Sequence, residues 1–113
     1  MKRIEATIQA GKIGAVSAAI SDMVSGFTIT DGNGRGSGQR RKIRAGRGTD
    51  TVIAEYNRVA VITSVVKDSD VDAVTAAIIE AAYTGRSGDG IITVSEVGSM
   101  LNIASGKSGS EAL

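Results

Sequence analysis

The chain has no cysteine and no histidine among its 113 residues, and only three aromatic side chains, Phe27, Tyr56 and Tyr83. Without cysteine there is no disulfide framework and no thiolate metal site. Losing histidine as well removes the commonest general bases, nucleophiles and transition-metal ligands. Carboxylate or lysine catalysis survives that exclusion, yet no paired constellation stands out. A binding or regulatory protein is therefore expected rather than an enzyme. No apolar run approaches the roughly 18 residues of a membrane span, and the first residues lack a signal-peptide pattern. The expected location is cytoplasmic.

What is present is ordinary in bulk and uneven in distribution. A hydrophobic fraction of 42% with 22% charged residues suits a globular chain, and this length suits one domain. The net charge of +1 hides an asymmetry. Residues 34–48, GRGSGQRRKIRAGRG, hold Arg35, Arg40, Arg41, Lys42, Arg44 and Arg47, five glycines and no acid. Seven bases and twelve acids remain elsewhere, so an acidic body carries one basic arm.

Hydrophobic periodicity divides the rest. Ile4, Ala6 and Ile8 alternate with polar residues over 3–9, which predicts a strand with one buried face. Ile13, Val16, Ile20, Met23 and Val24 form one stripe of a helix over about 11–24, with Gly26 as its stop. FTITD at 27–31 alternates again. The long β-branched run 55–66 predicts a strand with apolar residues on both faces, Val59, Val61 and Val65 on one and Ala60, Ile62 and Val66 on the other. Ser69 and Asp72 have capping-box spacing for a helix reaching about Tyr83, with Val71, Val74, Ile78 and Ala82 inward. A loop at 84–90, a strand at 91–97 and a short helical turn around Met100, Leu101 and Ile103 complete the pattern. The order strand, helix, strand, strand, helix, strand predicts an α+β, ferredoxin-like βαββαβ sandwich with a long loop between its second and third strands. Two helices cover one sheet face, so the apolar second face of the 55–66 strand predicts oligomerisation.

Three segments invite chemistry. The arm could grip a nucleic acid through its phosphates, but no aromatic residue is interleaved with its bases to stack on them. Nor do the three aromatics match the base-stacking motif of RNA-binding domains of this topology. The alternative is a solvated hairpin long enough to dock into another protein. TGRSGDG at 84–90 places glycines where backbone N–H groups can converge on an anion, with Arg86 adding charge; a tight helix-to-strand connection has the same pattern. Asp68, Asp70 and Asp72 resemble the start of a calcium loop, but Ala73 and Ile79 stand where glycine and glutamate are needed. Acids favoured by a helix N-terminus explain them better.

Taken together, MKRIEATIQ at 1–9, GFTITD at 26–31, AAYTGRSGDGIITVSEV at 81–97 and SGKSGSEAL at 105–113 resemble the PII signal-transduction family. The likeness spans nearly all of 1–113. It implies a homotrimer, with about 33–54 as the family's T-loop, 84–90 as its B-loop and about 98–113 as its C-terminal segment. It also implies adenine-nucleotide sites between subunits and a T-loop that engages an enzyme or membrane transporter. On this resemblance the nucleotide-binding residues are Ile8, Thr28, Gly34, Arg35, Gly36, Ser64, Arg86, Gly88, Asp89 and Gly90. Gln39, Arg47 and Lys107 are candidates for an anion or effector.

Departures from the family pattern refine the expectation. Thr51 replaces the tyrosine of RGAEY that many proteobacterial members modify. Ile91 replaces the lysine after GDG, and Asn102 and Ala104 replace two arginines of the C-terminal segment. With three phosphate-facing cations gone, ADP or AMP is expected to be favoured over ATP. The pattern resembles divergent members associated with carboxysomes or bicarbonate transporters, which implies bicarbonate as the small anion. The alternatives are a conventional nitrogen regulator sensing ATP and 2-oxoglutarate, and a nucleic-acid-binding module that uses the arm.

Overall fold

The computed structural model describes residues 1–37, 40, 42–44 and 51–113, with Arg44 described by its backbone alone. Gln39 and Arg47 lie outside the described residues. Among the described residues, six strands and two α-helices follow one another as β1 (Lys2–Gln9), α1 (Ile13–Ile20), β2 (Thr28–Gly34), β3 (Lys42–Arg44), β4 (Thr51–Ile53), β5 (Asn57–Val66), α2 (Val71–Ala82) and β6 (Gly90–Glu96). Four of them form an antiparallel sheet in the order β2–β5–β1–β6, the ferredoxin-like arrangement.

Alternation fixes which face is inside. Ile4, Ala6 and Ile8 of β1 and Ala60, Ile62, Ser64 and Val66 of β5 are buried, and α1 and α2 close over them with Val16, Ile20, Val74, Ile78 and Ala82. A one-residue slip would turn the whole set outward, so burial itself specifies the register. On the opposite face Val59, Val61, Thr63 and Val65 of β5 are half-buried. Their β1 neighbours there are Gln9, Thr7, Glu5 and Arg3. The open face is thus apolar along β5 and polar along β1, not aliphatic throughout as the β5 pattern alone implied.

Several local expectations are corrected. Helix α1 ends at Ile20, not near Val24, because the Met23 N–H reaches back only three residues, to the Ile20 carbonyl at 2.9 Å, and tightens the chain into a turn; the Val24 N–H meets the same carbonyl at 3.2 Å. Gly26 lies six residues beyond that end and does not stop the helix. It instead offers its carbonyl to the Ser64 hydroxyl at 2.6 Å. The Ser69 capping box does not form: Ser69 sits inside a 3-10 turn, Asp70 precedes α2 without a side-chain cap bond, and Asp68 pairs with the Met1 amine at 2.7 Å. Strand β2 runs on to Gly34, and the arm has a two-stranded ribbon, β3 with β4, that periodicity did not reveal. Residues 101–108 close a hairpin through a Leu101–Ser108 bridge where a helical turn was expected, and the helical turn comes later, at Gly109–Ala112.

Replacing Ile62 by alanine in the dry centre of the sheet is expected to lower stability by about 2–5 kcal/mol. Ile53→Ala in the exposed ribbon should change it by less than about 0.5 kcal/mol. Urea unfolding followed by circular dichroism checks both. Equal losses would mean that the ribbon belongs to the core.

Candidate functional site

The C-terminal end of β1 and the N-terminal end of β6 meet at one edge of the sheet, and residues 84–90 deliver the chain there from α2. Gly85, Gly88 and Gly90 all have positive φ (83°, 100° and 123°), a region that side chains rarely enter. Gly90 is constrained further. A Cβ on it would overlap the Thr7 carbonyl oxygen and stand 3.2 Å from Ile8 Cα. Glycine there lets β6 enter the ladder opposite Ile8 straight from the loop.

Inside the loop, Asp89 ties the two ends together. Its carboxylate accepts the Thr84 N–H at 2.7 Å, the Gly85 N–H at 3.1 Å and the Thr84 hydroxyl. The Thr84 hydroxyl first, then the Thr84 N–H, hold this carboxyl below its ordinary value of 3.8, against a smaller opposing effect of burial. Gln9, which the sequence reading passed over, donates its side-chain N–H to the Gly88 carbonyl at 3.3 Å. No motif marks Gln9; only the register of β1 brings it to the loop. Arg86, Ser87 and Gly88 are exposed at the loop's outer side.

Beside the loop lies an apolar cleft of about 370 Å³, lined by Ile8, Ile78, Ala82, Asp89, Gly90 and Ile92 and by the more exposed Ile79 (56%), Tyr83 (70%) and Ile91 (64%). Ile8, Asp89 and Gly90 of the expected nucleotide set therefore converge. Gly34, Arg35 and Gly36 stand at the same end of the sheet but on β2 and just beyond it, at the far edge, and a Cβ on Gly34 would meet Val59 Cγ1 at 3.1 Å.

Thr28 and Ser64 do not join them within one chain. Thr28 lies opposite Thr63, in the transverse row of Glu5 and Thr93, whereas Gly90 lies in the row of Ile8 and Ala60. Strand spacings of ~4.8 Å and ~3.4 Å per residue place Thr28 roughly 14 Å across and 10 Å along the sheet from Gly90. The Ser64 side chain is buried, with its hydroxyl given to Gly26.

Lys107 is exposed on the 101–108 hairpin. Asn102 organises that hairpin: its Oδ1 accepts the N–H groups of Ala104 and Ser105, each at 3.0 Å, and its Nδ2 donates to the Ala112 carbonyl at 3.2 Å. Ile103 at the tip is wholly exposed. Among the described residues no group of three or more acidic side chains gathers to hold a metal ion, and no helix is long and apolar enough to cross a membrane.

The glycine and carboxylate roles are open to measurement. Gly90→Ala is expected to cost about 2–6 kcal/mol, from backbone strain and from overlap with β1, again by urea unfolding. Because the folded-state pKa of Asp89 is depressed, its contribution is complete above pH 3.8 and is lost as pH falls through the lower folded value. Hydrogen exchange at the Thr84 and Gly85 amides should therefore lose protection only below pH 3.8, and Asp89→Asn should remove that pH dependence.

Comparison with known proteins identifies the family. The sequence model of the family described as "Nitrogen regulatory protein P-II" matches residues 1–107. The chain is 37% identical to the protein of that name from Rhizobium meliloti and 36% identical to that from Azospirillum brasilense, in each case over 114 aligned positions covering the whole of both chains. Similarity to the Haemophilus influenzae protein of the same name is 37% over the same span.

Proposed function

Because the chain belongs to the nitrogen regulatory protein P-II family, we propose that it is a non-catalytic signalling protein. In this reading it binds adenine nucleotides between the subunits of a homotrimer and reports them to a partner enzyme or transporter through the 33–54 arm. The separation of Thr28 and Ser64 from the glycine loop supports a site completed by a second copy. So does the half-apolar open face of β5, which a monomer leaves to solvent.

ADP or AMP is favoured over ATP. The observation that carries this preference is what stands where the family's phosphate cations are expected. Ile91 is an exposed apolar wall of the cleft, and Asn102 is committed to the turn of the 101–108 hairpin. Ala104 has no polar side chain at all. Each missing charge-assisted contact is worth about 1.5–3 kcal/mol. Backbone N–H groups around Gly34, Gly36, Gly88 and Gly90, with Arg35 and Arg86, are left to hold a shorter phosphate chain. Bicarbonate is the small anion of this reading, held by arm residues including Arg35 and Arg47, with Gln39 and Lys107 as further candidates. The acidic body and the lack of stacking aromatics weigh against nucleic acid as the target.

Calorimetric titration of AMP, ADP and ATP, with and without bicarbonate, tests the reading, alongside light scattering for the trimer. ADP or AMP should bind more tightly than ATP, bicarbonate should tighten that binding, and Arg47→Ala should abolish the bicarbonate effect. Ile91→Lys should raise ATP affinity by about tenfold to a hundredfold. Tighter Mg-ATP binding followed by 2-oxoglutarate binding would point instead to a conventional nitrogen regulator.

A further inference from the structure

The ribbon in the arm carries information about the partner it docks, an inference that rests on reading the arm as the docking segment. Among the described residues, strands β3 and β4 pair only with each other, and a two-stranded ribbon is marginal by itself. Ile43 lies opposite Val52 on one face of the ribbon, 44% and 47% exposed. Lys42 lies opposite Ile53 on the other face, with Ile53 58% exposed. Neither outer edge pairs with another strand among the described residues, and such an edge is a ready template for another strand.

Such edges are usually blunted by proline, by bulges or by charge. This chain has no proline, and its arm carries only positive charge over 34–48. Strand β3 carries Lys42 and Arg44 whereas β4 carries no charge, so two β3 edges repel each other and the charge works against self-pairing there. It offers no such defence against an acidic strand. No aromatic residue stands between Phe27 and Tyr56, so the ribbon lacks both a platform for stacked bases and the rings that anchor a segment at a membrane interface. The Ile43–Val52 pair needs an apolar surface that a nucleic-acid groove does not provide.

We propose that the arm binds its partner protein by strand addition. An extended acidic segment of the partner pairs with the outer edge of β3, the basic strand of the ribbon. Its carboxylates lie on the Lys42 face, and the apolar side chains alternating with them cover Ile43 and Val52.

The test uses the full-length, nitrogen-15-labelled protein and two seven-residue peptides, one alternating valine with glutamate and the other valine with lysine. Only the glutamate peptide should bind, with amide shifts confined to residues 42–44 and 51–53. Lys42→Glu should weaken it by about tenfold, and Lys42→Arg should restore it. Equal binding of both peptides, or shifts on the four-stranded sheet instead of the ribbon, would overturn the proposal. Tighter binding of a DNA duplex or of phosphatidylserine vesicles than of the glutamate peptide at the same salt would overturn it too. ADP added to the same samples reports on residues 84–90 independently, so the nucleotide reading can stand while strand addition fails, and the reverse.

Discussion

The close approach of β6 to β1 at Gly90 is the constraint on which the candidate site depends. A side chain there would drive into the Thr7 carbonyl, so the two backbones meet at a distance only glycine permits. From that contact the loop is built backwards. Asp89, one residue earlier, returns its carboxylate to Thr84 and Gly85, and Gln9 at the end of β1 holds the Gly88 carbonyl. The loop therefore inherits its shape from the sheet. Ile8, in the same row as Gly90, supplies the floor of the adjoining cleft. Rigidity of this kind lowers the ordering cost of any ligand the loop binds.

On the proposed reading, charge around that fixed loop has been exchanged for shape. An isoleucine at position 91 widens an apolar wall, and Asn102 is consumed in closing a hairpin that presents Ile103 to solvent. A side chain that already makes three hydrogen bonds, two within its own turn and one to the Ala112 carbonyl, is not free to reach a phosphate. On the proposed reading, recognition falls to backbone N–H groups and to few side-chain cations, which discriminate by geometry more than by total ligand charge. The Asp89 carboxylate adds a standing negative charge to the loop, a further term against a highly charged ligand.

The framework was readable in the sequence because burial writes it there. Alternation in β1 and β5 and the stripes of α1 and α2 are the direct trace of one shared core, and each lies within a few residues of its expected place. What escaped was set by single hydrogen bonds. The end of α1 is decided by which N–H groups reach the Ile20 carbonyl, and the 101–108 hairpin by the side chain of Asn102; neither has a periodic signature. The ribbon was invisible for a different reason. Its strands are three residues long, and alternation needs a longer run to be recognised. For the site, the glycine pattern located the loop, while the separation of Thr28 and Ser64 from it required the register of four strands.

Those strands also determine how a ligand could speak to the arm. Strands β2 and β5 pair to their ends, Gly34 opposite Asn57, and from there both run into the arm. A ligand shifts a conformational equilibrium only through contacts that differ between the two states. The rigid loop at 84–90 offers little of that difference, since the sheet holds it in one shape. The root of the arm offers more: Gly34 already lies against Val59, and Arg35 and Gly36 beyond it are exposed. A ligand bridging the loop to this root would bias the arm while leaving the core unchanged. On the proposed reading, sensing and signalling divide between a stiff element and a marginal one, and the few residues after Gly34 are where the two are joined.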